Sequence, residues 1–237
     1  MRFLTLGQWL ALCGVLMLVA GPLGTRLGVW SFVVGFALLA FGALSILLSV
    51  LALVVGGFRT GEWMRALPLI AGGLAVLAVP VVIVVRAGSA PPIHDITTDT
   101  TDPPPFVSAL PLRAAANAAN PPEYGGADVA AQQQRAFPDI QPLVVALPPQ
   151  QAFDRALAQV REFGWEVSGS APAEGRIEAV DTTFFFGFKD DVVIRLRPAE
   201  GGTRVDVRSK SRVGAGDLGA NAGRIRRLLA SLRLLSP

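Results

Sequence analysis

The sequence predicts an α+β domain, a β-α-β-β-β-β-α run folded into an antiparallel sheet with both helices on one face, carried behind three transmembrane helices. Three observations lead there. Before residue 88 the ionisable side chains, apart from the Cys13 thiol, are Arg2, Arg26, Arg59, Glu62, Arg65 and Arg86. Between Arg176 and Ser211, apolar and polar residues alternate with a period of two, as half-buried strands do. Apolar stripes at helical spacing flank that stretch on both sides. The 237 residues are 51% hydrophobic and 16% charged, against about 25% charged in an ordinary soluble chain. The deficit is confined to the N-terminal part, so the chain divides into a membrane anchor (1–87), a linker or strap (88–139) and a domain (140–237).

Uncharged runs at 3–21, 27–58 and 66–85 reach the length of about 20 residues that a spanning helix needs. The expected spans are 3–21, 29–56 and 66–86. Gly21-Pro22-Leu23-Gly24 is expected to turn the chain between the first two, and Trp30 to anchor the second at the interface. Pro68 sits at an acceptable helix start, whereas Pro80 is expected to kink the third helix. A cleaved signal peptide is the alternative for the first run, with Leu18-Val19-Ala20 as its processing site. Arg2 is its sole n-region charge and Leu18 is not small, so an uncleaved helix is expected.

Arginine counting puts Arg2, Arg59 and Arg65 on one side and Arg26 and Arg86 on the other. The N-terminus is therefore expected in the cytoplasm and the domain outside it, as in an inner (plasma) membrane protein with a periplasmic domain. No Asp, Glu, Lys, Arg or His lies within the uncharged runs 3–21, 27–58 and 66–85, which argues against a transporter or pump. The pI of 9.7 is a poor argument for nucleic acid. Five of the basic residues belong to the membrane part, and an exported domain rarely meets nucleic acid.

Residues 88–139 are rich in Pro, Ala, Thr and Asp, a composition that favours an extended strap over the domain, or a semi-rigid spacer, over a helix. Residues 114–119 are expected to form at most one helical turn before Pro121. The run His94-Asp95-Ile96-Thr97-Thr98-Asp99, with Asp102, crowds imidazole, carboxylates and hydroxyls and offers oxygen ligands to a hard cation. It lacks the glycine spacing of a calcium loop, and Asp and Thr beside prolines ordinarily serve turns. A lone Cys13 and a lone His94 exclude an intrachain disulfide, a thiolate cluster and a multi-histidine site, so neither metal nor cofactor is expected.

From Ile140 the pattern becomes globular. IQPLVVAL reads as a strand whose Pro142 places it at a sheet edge. Pro148-Pro149 open a helix with Phe153, Ala156, Leu157, Val160 and Phe163 on one face, stopped by Gly164. A strand begins at Trp165, Ala171–Gly175 is a turn, and 176–183 is the next strand. In 191–197, Val192, Ile194 and Leu196 face one way and Val193, Arg195 and Arg197 the other. In 203–211, Val205 and Val207 point inward, with Arg204, Asp206, Arg208 and Lys210 outward. Asp217 caps a final helix whose apolar face is Leu218, Ala222, Ile225, Leu229 and Leu232, with Arg226, Arg227 and Arg233 solvated.

The stretches AVDTTFFFGFKDDVVIRLRP and RVDVRSKSRVGAGDLGANAGRIRRLL, with the earlier IHDITTD, resemble the bacterial and plastid family called domain of unknown function 1499. The likeness spans about residues 92–234 and implies no activity.

Three features of the domain are functional candidates. Phe184-Phe185-Phe186-Gly187-Phe188 joins two strands; its rings, Phe184 and Phe186 foremost, offer contacts to a bilayer or an apolar ligand, while two of the rings are expected in the core. Asp181, Asp190 and Asp191 lie near strand ends. Asp181 and Asp191 with His94 would make a hydrolytic or metal site if they converged, whereas a turn with an Asp–Arg pair to Arg195 is the plainer expectation. Arg208, Lys210 and Arg212 share a strand face and, with Arg195 and Arg197, form a row suited to an anionic lipid or glycan. Alternatively Ser211, Arg212, Asp217, Asn221 and Arg224 tie the last strand to the last helix.

A non-enzymatic envelope protein is the leading expectation, its domain binding a lipid, a glycan or an envelope protein. Charge reversal at Arg208 and Arg212 should then weaken binding and leave the fold intact. A third reading makes the chain a structural subunit of a membrane complex, with Gly35, Gly42 and Ala43 as its helix-contact face.

Overall fold

Glycine recurs every seven residues along the first apolar segment, at Gly7, Gly14 and Gly21, and Gly35, Gly42, Ser49 and Gly56 repeat the spacing along the second. In the computed structural model, which describes residues 2–234 except the side chains at 83, 86, 87 and 89, these positions form the seam between α1 (Arg2–Arg26) and α2 (Phe32–Thr60). A β-carbon on Gly14 would lie 2.8 Å from the Gly42 carbonyl oxygen, and one on Gly21 would lie 2.6 Å from that of Gly35. Only the missing side chain lets the backbones approach so closely. The Ser49 hydroxyl donates to the Gly7 carbonyl at 2.7 Å and that of Ser45 to the Leu10 carbonyl at 2.8 Å, fixing register. Gly35 and Gly42, expected to face a partner helix, are thus occupied within the chain.

The turn between these helices lies at 27–31 rather than at 21–24. Pro22 stands inside α1, and the nearby Gly21 carbonyl accepts bonds from the Thr25 hydroxyl at 3.0 Å and the Trp30 indole at 3.1 Å. The helix stops where Gly28 takes φ +70°, with Val29 N–H on the Gly24 carbonyl and Gly28 N–H on that of Thr25, a Schellman ending. Then α3 (Trp63–Ser89) runs through both Pro68 and Pro80. Three helices, Arg2–Arg26, Phe32–Thr60 and Trp63–Val82, are long and apolar enough to cross a membrane. The Arg86 side chain, part of the arginine count, lies outside the described residues.

The chain falls into two compact units, one of Met1–Ser89 with Phe184–Gly187, the other of Ala90–Thr183 with Phe188–Pro237. Within the first unit, the Phe186 ring centroid lies 4.8 Å from that of Phe36, and Arg26 Nη1 donates to the Phe184 carbonyl at 2.6 Å. Phe184 and Phe185 are 80% and 70% exposed, and Phe186 and Phe188 are half-buried. None of the four joins the main core, against the expectation for two of them, because the strands end before them: β4 stops at Thr182 and β5 starts at Lys189.

The second unit has the predicted β-α-β-β-β-β-α order: β2 (Leu143–Val145), α6 (Pro149–Glu162), β3 (Glu166–Ala171), β4 (Arg176–Thr182), β5 (Lys189–Ala199), β6 (Gly202–Ser211) and α7 (Ala220–Leu234). Ahead of it come β1 (Asp95–Thr97), α4 (Ala109–Ala115) and α5 (Gly126–Ala136). The sheet order is β1-β6-β5-β4-β3, every pair antiparallel, with β2 also on β6. Gly202, at φ +138°, lies where β2 meets β6, and a β-carbon there would come within 2.1 Å of the Val145 carbonyl.

Both α6 and α7 cover one sheet face. Phe153, Ala156 and Val160 from α6, and Ala222, Ile225, Leu228 and Leu229 from α7, pack on Ile177, Val192, Ile194, Val205 and Val207. Leu218, expected at the head of the α7 stripe, is half exposed at φ 56°. The helix starts later, where Asp217 accepts the Gly219 and Asn221 amides at 2.9 and 2.7 Å, and Leu228 fills the face instead.

Residues 90–139 wrap the opposite face. The stretch is partly helical and contributes β1, α4 and α5 as a strap over that face. The run ADVAAQQQRA is made of good helix formers, and Pro-rich surroundings masked it. Gln133 of α5 pairs with β1 as a strand would, accepting from Thr97 N–H at 2.9 Å and donating to the Thr97 carbonyl at 2.6 Å.

Candidate functional site

The strap-facing side of β4, β5 and β6 carries the densest charge in the unit. Strand alternation puts Glu178, Asp191, Arg195, Arg197, Arg204, Asp206, Arg208, Lys210 and Arg212 there. The expected cationic row is present, but it is covered. Arg208 and Lys210 are 3% and 2% exposed, and Arg212 is also buried. Charge buried this way needs partners, and the strap supplies them.

Asp95 of β1 takes two bonds from Arg208, at 2.9 and 2.8 Å, and one from Lys210 Nζ at 2.9 Å. Arg208 also donates to the Pro122 carbonyl at 2.8 Å and Lys210 to that of Glu123 at 2.6 Å. The Arg208 guanidinium lies 4.7 Å from the Phe106 centroid and 5.6 Å from that of Tyr124. Burial pushes Lys210 down despite the pull of Asp95. Burial, helped by Asp95, pushes the Tyr124 hydroxyl up to about 12.

Two further carboxylates are shared in the same way. Asp191 accepts from Arg212 Nε at 3.0 Å and Nη2 at 2.7 Å, and from Arg113 of α4 at 2.6 Å. Asp206 accepts from Arg195, Arg197 and Arg204 at 2.9–3.1 Å. Asp99 joins that group through Arg204 at 2.7 Å. Burial alone would raise Asp99, but the Asp102 and Thr101 amides with Arg204 and Arg195 hold it below its ordinary value. Glu178 receives the Val107, Ser108 and Ala109 amides and so seats the start of α4.

On the core side, Arg224 of α7 donates to Asp181 at 2.8 Å, Asp190 at 2.7 Å, Ser209 at 3.0 Å and Asn221 at 2.6 Å. Asn221 reaches Ser211 Oγ at 3.0 Å and the His94 carbonyl at 3.1 Å. This is the tie between last strand and last helix that the sequence offered as an alternative, without Arg212, whose side chain points to the other face. Burial raises Asp190 against the pull of Arg224.

Asp181 and Asp191 therefore lie on opposite faces of the sheet, each held by arginine. His94 Nδ1 faces the Ala215 carbonyl at 3.3 Å, not a carboxylate. These three do not converge. Among the described residues no group of three or more His, Cys, Asp or Glu could hold a metal. Arg195, expected to pair with the Asp190–Asp191 turn, pairs with Asp206 and Asp102 instead.

One concavity of about 290 Å³ opens on the unit, at the end of the sheet beside α4. Lys189, Arg212 and Glu166 line it together with Leu112, Ala115, Ala116 and Val180. Sequence reasoning had passed over Lys189, and over Asp95, Arg113, Glu178 and Asp206 as counter-charges. Arg113, alone in an alanine-rich stretch, was the available signal.

A family model described as Protein of unknown function (DUF1499) matches residues 95–232, from β1 into α7. No curated protein matches the chain.

Proposed function

The chain belongs to the family described as Protein of unknown function (DUF1499), and we propose for it a non-catalytic role as a lipid-surface binding protein. In this reading the three apolar helices anchor it in the plasma membrane with the N-terminus in the cytoplasm. The family domain then works outside the cytoplasm, on lipid in preference to a glycan or an envelope protein. The observation that carries the reading is the pair of exposed rings, Phe184 and Phe185, at the end of the β4–β5 hairpin. Two adjacent exposed phenyl groups are costly in water and favourable at an acyl–headgroup boundary. Engagement of Asp181, Asp190 and Asp191 by arginines supports a role without acid–base chemistry.

The test is an environment-sensitive nitrobenzoxadiazole label at Phe185→Cys, with Cys13→Ala, in phosphatidylcholine nanodiscs. Blue-shifted emission quenched by doxyl lipids is expected; water-like emission quenched by iodide overturns the reading. For the orientation, a C-terminal alkaline phosphatase fusion should be active in cells. Phosphatase silence with a fluorescent cytoplasmic reporter would place the domain on the other side.

A further inference from the structure

We infer that the concavity at Lys189 and Arg212 binds a phosphate-bearing amphiphile, its headgroup on the two cations and its apolar segment on the α4 side. The inference rests on the lipid-surface reading and names what the domain takes there. Lys189 opens β5 and Arg212 follows β6. The Arg212 N–H donates to the Lys189 carbonyl at 3.1 Å, continuing the Asp190↔Ser211 register by one step. The two side chains thus start from facing positions on the same side of the sheet. Like charges set opposite each other across a ladder are destabilising unless an anion joins them.

The carboxylate on Arg212 is already committed. Asp191 is shared between Arg212, through Nε and Nη2, and Arg113, through Nη1. Among the described residues, Arg212 Nη1 and Lys189 Nζ have no hydrogen-bonding partner, and both residues line the opening. Two arginines therefore share one carboxylate, and Lys189 adds a third cation to the corner. Glu166, on the same lining, makes no ion pair among the described residues and leaves the corner net positive. Asp191 behind the buried Arg212 holds its guanidinium in place before any ligand arrives, which removes an ordering cost from binding.

The remaining wall, Leu112, Ala115, Ala116 and Val180, has no charge to offer a sugar or a second phosphate. It suits a short apolar segment. At about 290 Å³ the space sits at the small end of ligand sites and takes a headgroup with its first carbons, not a whole two-chain lipid. Either a membrane lipid or a free short-chain phosphate ester carries that chemistry.

The experiment is calorimetric titration of the full chain in phosphatidylcholine nanodiscs with hexyl phosphate, with empty discs as the blank. Saturable binding is expected, with inorganic phosphate at least tenfold weaker and hexanol without a saturable signal. Lys189→Gln, at an exposed side chain, should weaken hexyl phosphate about tenfold without changing thermal unfolding. Ala115→Trp, which fills the opening, should abolish binding. If phosphatidate in the discs suppresses the titration, a membrane lipid supplies the headgroup; if it does not, a free ester is the ligand, and both outcomes uphold the site. No binding of hexyl phosphate, or binding that both variants leave unchanged, overturns it. Inorganic phosphate binding as tightly as the ester overturns the amphiphile. The Phe185 label reports on the lipid-surface reading separately, so the two can fail independently.

Discussion

Arg208→Ala should destabilise the α+β unit by about 3–5 kcal/mol, the range for breaking a buried pair and stranding its partner. Asp95 is buried and would keep Lys210 but lose both guanidinium bonds. The Pro122 carbonyl would lose a donor, and the Phe106 and Tyr124 rings the cation between them. Domains hold together by only about 5–15 kcal/mol, so this is a large share. Pulse proteolysis of the full chain in non-ionic micelles across a urea series should show the midpoint falling by about 2 M. Arg197→Ala is the control. Its side chain is 43% exposed and shares Asp206 with two other arginines, so a change within about 1 kcal/mol is expected. Equal midpoints for Arg208→Ala and wild type would mean that Asp95 is not a buried counter-ion.

The same reasoning alters what charge reversal means. With the row taken as an open binding surface, reversing Arg208 and Arg212 should spare the fold. With both guanidinium groups buried on Asp95 and Asp191, reversal sets like charges against each other inside the unit, and loss of fold is the expected result. Lys189, exposed and outside those pairs, is the residue at which charge can be changed safely.

How the sequence misled here has a physical origin. Strand alternation reports which face a side chain takes, and it placed Val192, Val205 and Arg208 on the correct faces. It does not report whether a polar face meets water or another layer of the same chain. Charged residues at alternate positions read as solvated, because burying them is costly unless each finds a partner. The partners lay far off in sequence, with Asp95 and Arg113 in a segment whose prolines argued against folding. Single-residue breakers were over-read for the same reason. Pro22 stands inside α1 without ending it, and the helix stops only at Gly28, where φ is +70°. The β-α-β-β-β-β-α order was legible because each element carries its own period.

The small-residue face at Gly35 and Gly42 was legible as a helix contact, but its partner, the Gly7, Gly14 and Gly21 series of the same chain, was not, and this seam leads to the second large effect. Gly42→Leu should separate α1 from α2. A β-carbon at Gly42 would stand 2.9 Å from the Gly14 carbonyl oxygen and 3.0 Å from Leu18 Cγ. The first neighbour is backbone and cannot swing aside, so one helix must move. Movement there also pulls on the Ser45 and Ser49 hydroxyl bonds, which join the same two helices. In lipid there is no hydrophobic drive to restore the contact, since tails solvate the parted surfaces as well as the helices do. Overpacking of this kind costs about 1–3 kcal/mol in ordinary cores, and a backbone clash belongs at or above the upper end. Gly72→Leu on α3, where a β-carbon meets nothing within 4 Å, supplies the comparison and should be neutral or mildly stabilising through helix propensity. Thermal unfolding of the full chain in maltoside micelles should drop by roughly 10 °C or more for Gly42→Leu and stay within about 2 °C for Gly72→Leu. Equal shifts in the two variants would show that the glycine seam does not hold the hairpin together.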